Sequence, residues 1–302
     1  MFTTTNPQDS LKLPRIAAIQ MCSSHIVDEN LVMAAQLIAE AAANGANLVV
    51  LPEMFSIMGI NPNDKVTVSE IYGSGKVQSF LSEQARKNKV WIVGGTIPIQ
   101  CDDPNKVRAA SIVYDQNGTL VSRYDKIHLF DVTISETEVY KESDTTQQGN
   151  HIVVIDTPFG KLGLSVCYDL RFPELFRLMF NQGAEIICVP SAFTVKTGEA
   201  HWETLLRSRA IENFCYIIGA AQGGKHTSGR CTYGNSLIVE PWGTVTSKIP
   251  GTKPGVIYTD IDLVKLSEVR KSIPVADHQK IYFDTSRLEG GAVISPNSQI
   301  KL

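Results

Sequence analysis

The chain has 302 residues, 43% of them hydrophobic, enough apolar material for one large domain or two ordinary ones. Its 28 basic and 31 acidic side chains leave a formal net charge of −3, with no basic block to attract nucleic acid or anionic lipid. No apolar stretch reaches transmembrane length, the opening MFTTTNPQDSLKLP reads as neither secretory signal nor transit peptide, and six cysteines without a CxxC pair point to a reducing, cytoplasmic setting.

In chain order, residues 1–14 read as an extension and residues 15–21 as an apolar strand. Residues 29–44 are Ala-rich with helical spacing, and Asn44 followed by Gly45 is a helix stop. Residues 48–51 are a continuous apolar run, short enough for a buried strand, which ends in Pro52 and Glu53. An amphipathic helix is expected over 77–88 and a strand over 90–96. Strands at 112–114 and 120–124 flank Gln116, Asn117 and Gly118, a hairpin signal. Residues 162–166 form a strand running into Cys167, and Pro173 with Glu174 reads as the first turn of the next helix. Residues 283–302, rich in Gly, Ser and Asn, read as a tail.

The order of elements repeats. GANLVVLPE (45–53) matches GAEIICVPS (183–191), and SIVYDQNGTLVSRY (111–124) matches SLIVEPWGTVTSKI (236–249) without a gap. At the same offset WIVGGTI (91–97) lies over YIIGAAQ (216–222). Strands alternating with helices put sheets inside and helices outside. Two such halves, each with one helical layer, predict an α/β fold: a four-layer α-β-β-α sandwich with an internal pseudo-twofold repeat, spanning 15–282. A doubly wound single sheet is the alternative, and the paired hairpins favour two related sheets.

Three places offer chemistry. Glu53 closes a buried strand, at the kind of sheet edge where ligands bind in α/β proteins. Cys167 sits on a strand-to-helix turn, which exposes a sulfur and turns the next backbone N–H toward the same point. Lys126 follows the hairpin in YDKIHLF (124–130), where His128 would serve as a base in a papain-like Cys–His pair. Ser165 has nothing evident to activate it.

Together LPEMF (51–55), YDKIHLF (124–130) and SVCYDLRFPEL (165–175) resemble the nitrilase superfamily of carbon–nitrogen hydrolases, in order and in spacing, over most of residues 15–282. The resemblance implies the α-β-β-α fold, and it implies Cys167 as nucleophile, Glu53 as general base and Lys126 as the cation facing the developing oxyanion. It assigns a second glutamate to Glu142 in KESDTTQQGN, although Gln148 and Gly149 stand where Pro-Gly is frequent, and it leaves His128 structural. It implies a small-molecule amide substrate, no metal or organic cofactor, and a homodimer or higher homo-oligomer. HLFDVTI (128–134), AAQGGKH (220–226) and VRKSIPVADHQK (269–280) resemble the branch of short-chain amidases acting on deaminated glutathione, with omega-amidases as the nearest alternative. N-carbamoyl hydrolases, nitrilases and inactive binding members stand further off. Tyr168, through its backbone N–H, and Arg171, Phe193, Thr194, Thr197 and His201 are the candidate substrate contacts, Arg171 as the fork for a keto-acid carboxylate. Lys196 and Lys225 are candidates for a second carboxylate.

Overall fold

The computed structural model describes residues 13–136 and 138–281. The expectations for residues 1–12 of the extension and for the tail 283–302 lie outside them.

Two sheets form the centre. In the first, Arg15–Gln20, Leu48–Val50 and Trp91–Val93 run parallel. Gly255–Asp260 lies antiparallel outside Arg15–Gln20, and on the other side Val107–Tyr114 pairs antiparallel with Trp91–Val93 and turns back into Leu120–Asp125. The second has the same plan. Gly160–Leu164, Ile186–Cys188 and Tyr216–Gly219 run parallel, Val154–Thr157 is antiparallel at one side, and Leu237–Val239 with Val245–Lys248 forms the hairpin at the other. The strand expected over 90–96 covers only Trp91–Val93. It breaks at Gly94 and Gly95, and Ile97–Gln100 pairs separately with Val107–Tyr114.

Side-chain alternation shows the layering. Ile16, Ala18, Leu48, Val50, Val93 and Val113 share a core with Leu162, Leu164 and Ile186 of the second sheet. Their neighbours Ala17, Ile19, Val49, Ile92 and Ile112 instead pack with Leu31, Ala34 and Ile38 of helix Val27–Ala43, and with Leu81 and Ala85 of helix Lys76–Asn88. The first sheet is therefore covered by its partner sheet on one face and by helices on the other. Helices Pro173–Asn181 and Val195–Asn213 give Phe176, Met179, Trp202 and Leu206 to the core of the second sheet, completing the α-β-β-α order. The first long helix stops where the sequence expects it to, with Gly45 at φ +82°. No helix among the described residues is long and apolar enough to cross a membrane.

Candidate active site

Glu53 is delivered by the central strand Leu48–Val50. The N–H of Leu51 still donates to the Val93 carbonyl at 3.0 Å, so pairing persists to the edge of the turn. Gly95 makes room for that turn. Its φ is +52°, and a Cβ there would lie 2.0 Å from the Pro52 carbonyl oxygen. Met54 follows in the left-handed region, φ +56°, with its N–H donating to Thr96 Oγ1 at 2.8 Å. The Glu53 side chain is thereby held in the interior, 4% exposed.

Lys126 is fixed by its backbone, donating to the Ala109 carbonyl at 3.0 Å and accepting from the Gly149 N–H at 2.8 Å. Gly149 fits because nothing larger would: a Cβ would stand 2.1 Å from the Asp125 carbonyl oxygen. The buried Nζ donates to Glu53 Oε1 at 2.8 Å and to Glu142 Oε2 and Oε1 at 2.8 and 3.1 Å. Glu142 Oε2 also accepts the Phe130 N–H at 2.7 Å. Burial opposes the charge on Lys126, but Glu142 and Glu53 outweigh it and raise its pKa well above the ordinary lysine value. Burial likewise opposes the charge on Glu142, and Lys126 and Lys65 prevail, lowering its pKa.

Cys167 begins the short 3₁₀ turn Cys167–Arg171, at φ +50° and with its N–H donating to the Pro190 carbonyl at 2.9 Å. A non-glycine residue in this region stores strain of the kind found at functional turns. Burial first, and then the Glu53 carboxylate, push the thiol pKa well above its ordinary value, with Lys126 and the Ala192 backbone amide pulling the other way. The resting sulfur is therefore a thiol. Ser165 is occupied, its hydroxyl donating to the Cys188 carbonyl at 2.8 Å.

His128 does not reach the sulfur as a base. Its Nδ1 lies 2.7 Å from Asp169 Oδ1, and its ring stacks on Phe172 with centroids 3.6 Å apart. Asp169, which sequence reasoning did not single out, is fully buried and ties the two segments together. It accepts the His128 N–H at 3.0 Å, the Tyr124 hydroxyl at 2.7 Å and the Val166 N–H at 2.8 Å.

A cavity of about 370 Å³ opens over Glu53, Lys126, Glu142 and Cys167. Of the expected substrate contacts, Tyr168, Phe193 and Thr197 line it. Arg171, Thr194 and His201 do not. Thr194 is buried and caps helix Val195–Asn213, accepting from the Thr197 N–H. The Arg171 guanidinium lies 3.2 Å from His201 Nδ1 and over the rings of Tyr168 and Phe193, 5.9 and 5.6 Å from their centroids, and neither Arg171 nor His201 is in the wall. Lys196 donates to the Ile134 carbonyl at 3.3 Å, and Lys225 is also absent from the wall. Besides Lys126, the cations that line the cavity are Lys65, Arg230 and the exposed Lys141, with Phe130 and Tyr140 beside them. Lys65, Arg230 and Tyr140 stand outside every motif the sequence offers. Lys65 lies on the four-residue helix Asp64–Thr67, which buries nothing, and Arg230 lies in a Gly-bearing loop.

Comparison with known proteins adds to this geometry. A family model described as carbon-nitrogen hydrolase matches residues 15–271. A deaminated glutathione amidase of Yersinia enterocolitica is 42% identical over 272 residues, 89% of this chain and 94% of that one. One of Dictyostelium discoideum is 41% identical over 276 residues, covering 89% and 95%. The crystal structure of the C. elegans NitFhit protein superposes with a TM-score of 0.83 at 36% identity, covering 89% of this chain; this chain spans only 65% of that longer one.

Proposed function

The chain belongs to the carbon–nitrogen hydrolase family, and from that premise we propose that it hydrolyses the ω-amide of deaminated glutathione through a thioester on Cys167. The observation that carries the chemistry is the ammonium of Lys126, clamped between Glu53 and Glu142 in one cavity with a protonated thiol. A thiol is a poor nucleophile until its proton leaves. Glu53 takes that proton as sulfur attacks the amide carbonyl and the C–S bond forms. The negative charge on the carbonyl oxygen is met by Lys126 Nζ and by the N–H of Tyr168, at the start of the short helical turn where backbone donors are left free. Such donors contribute about 3–4 kcal/mol each to the transition state.

Collapse of the tetrahedral adduct breaks the C–N bond, and Glu53 returns its proton to the leaving amine, cysteinylglycine. A water molecule then gives a proton to Glu53 and attacks the thioester. The C–S bond breaks, the thiol recovers its proton, and the keto acid departs as a carboxylate. Glu142 holds Lys126 in place throughout. The substrate is supported by the relatives at 42% and 41% identity, which bear that activity in their names. Six free cysteines support a reducing, cytoplasmic setting for a protein whose substrate is a small molecule rather than nucleic acid or membrane. The deciding measurement is kcat/KM for deaminated glutathione against α-ketoglutaramate on one preparation. We expect deaminated glutathione to be preferred; a clear preference for α-ketoglutaramate makes the chain an omega-amidase, and turnover of N-carbamoyl compounds alone rejects both readings.

A further inference from the structure

Arg230 faces the same cavity, and no step of the amide chemistry uses it. It sits on the loop between the paired strands Gly223–Lys225 and Cys231–Tyr233, and that loop is fixed. The His226 N–H donates to the Arg230 carbonyl at 2.8 Å, while the buried His226 ring bridges the Ser23 carbonyl at 2.8 Å and Thr232 Oγ1 at 2.7 Å. The guanidinium itself is poorly matched. Nη2 donates to the Ala192 carbonyl at 2.9 Å, Nη1 meets only the sulfurs of Met54 and Met58 at 3.9 and 4.0 Å, and Nε is buried with no partner. The Tyr140 ring lies 5.3 Å from it. Among the described residues no ion pair includes Arg230.

The charges around it say what is missing. Glu53 and Glu142 exceed Lys126 by one negative charge, and that excess faces Lys65, which donates to Thr146 Oγ1 at 2.6 Å and whose pKa burial lowers while Glu142 and Glu53 act to hold its charge. Lys141 is exposed and screened by water. Arg230 remains as a half-buried cation without a counterion, its planar fork suited to a carboxylate. Ala192 connects it to the nucleophile, since the carbonyl of that residue takes the guanidinium while its amide faces the Cys167 sulfur.

We propose that Arg230 is the carboxylate anchor of the cavity, selecting amides that carry an anionic group within reach of Cys167. The inference rests on the amidase reading for the bond that is cut, and not for the anion that is held. Three amides separate the possibilities: uncharged pentanamide, α-ketoglutaramate with its carboxylate on the acyl side, and N-pentanoylglycine with its carboxylate on the amine side. Relative to pentanamide, Arg230→Gln is expected to lower kcat/KM for one of the two charged amides by on the order of 10- to 100-fold, chiefly through KM. The amide affected identifies the side on which the anion is held.

An unchanged ratio in folded Arg230→Gln, or an equal loss on all three amides, overturns the proposal. Arg230→Lys, which keeps the charge and loses the fork, is expected to fall between, and it carries the test if the glutamine variant does not fold. Should the wild-type protein hydrolyse none of the three and not deaminated glutathione either, the amidase reading fails by itself. The anchor is then read from alkylation of Cys167 by iodoacetamide. Protection by α-ketoglutarate is expected in the wild type and not in Arg230→Gln, and no protection in the wild type overturns the anchor.

Discussion

Glu53 acts on the thiol of Cys167 through its charge as well as, in the proposed mechanism, by receiving its proton. Its negative charge adds to burial in holding the thiol pKa high, and Lys126 acts in the opposite direction. Removing the charge should separate reactivity from catalysis. In Glu53→Gln the thiol pKa falls toward its ordinary value of about 8.5, because the ammonium of Lys126 remains and the carboxylate does not. Iodoacetamide should therefore alkylate Cys167 faster at pH 7.5 in the variant than in the wild type, and the alkylation profile should shift to lower pH. Amide turnover should nevertheless drop by about 10²–10⁴, the usual worth of a positioned base. Slower alkylation in the variant would mean that Glu53 activates the sulfur in the resting enzyme, as a histidine does in a Cys–His pair, and the sequence of proton transfers above would have to change.

The nucleophile turn and the Lys126 segment are separate elements joined by one buried carboxylate. Asp169 accepts from Tyr124 Oη, the Val166 N–H and both the backbone and the ring of His128. Asn at this position would turn an N–H₂ group toward donors that it cannot satisfy. Asp169→Asn should cost about 3 kcal/mol by urea denaturation, in the range for breaking a buried charged hydrogen-bond set. His128→Ala should cost less, since that ring is 27% exposed; an unchanged urea midpoint in Asp169→Asn would show that the turn is held by other contacts. Asp169 was not legible in the sequence because a carboxylate that gathers donors from two segments is written like one at the surface. Glu53 and Cys167 end continuous apolar strands, and Asn117 with Gly118 marks its hairpin, so core periodicity and turn chemistry point to them. The hairpin of Asp131–Ser135 and Glu138–Lys141 has alternately exposed and half-buried residues and no core face, yet it brings Tyr140 and Lys141 to the cavity. Arg230 follows a strand of only three residues, two of them glycine. Cavity walls are built from such pieces, whose side chains face an empty volume and leave no periodic trace.

Across the whole molecule, the matched segments of the two halves correspond to two sheets of one plan, so the layering could be read from repetition before any coordinate. The cavity crosses that division, lined by Glu53, Lys126 and Glu142 from the first half and Cys167 from the second. What repetition does not give is the outer surface. Helix Val195–Asn213 leaves Ile211 45% exposed, and beside it Trp242 is 58% exposed, on the turn where the Gly243 carbonyl accepts from Arg207 Nε at 2.9 Å. The same helix grips the nucleophile turn from behind, since Arg209 Nε and Nη2 both donate to the Leu170 carbonyl, at 3.0 and 2.8 Å. We expect a homodimer in which this helix packs against its counterpart, with Trp242 as an anchor of the kind that dominates interface energies. Sedimentation at micromolar concentration should show a dimer. Trp242→Ala should weaken it by at least about tenfold, a truncation cost above 1 kcal/mol. Activity should then become dependent on protein concentration, because a helix freed on its outer face holds Leu170, and through it the turn of Cys167, less firmly. A wild-type monomer across the whole concentration range removes the dimer. A dimer indifferent to Trp242→Ala moves its interface to another face and breaks the link between assembly and the nucleophile.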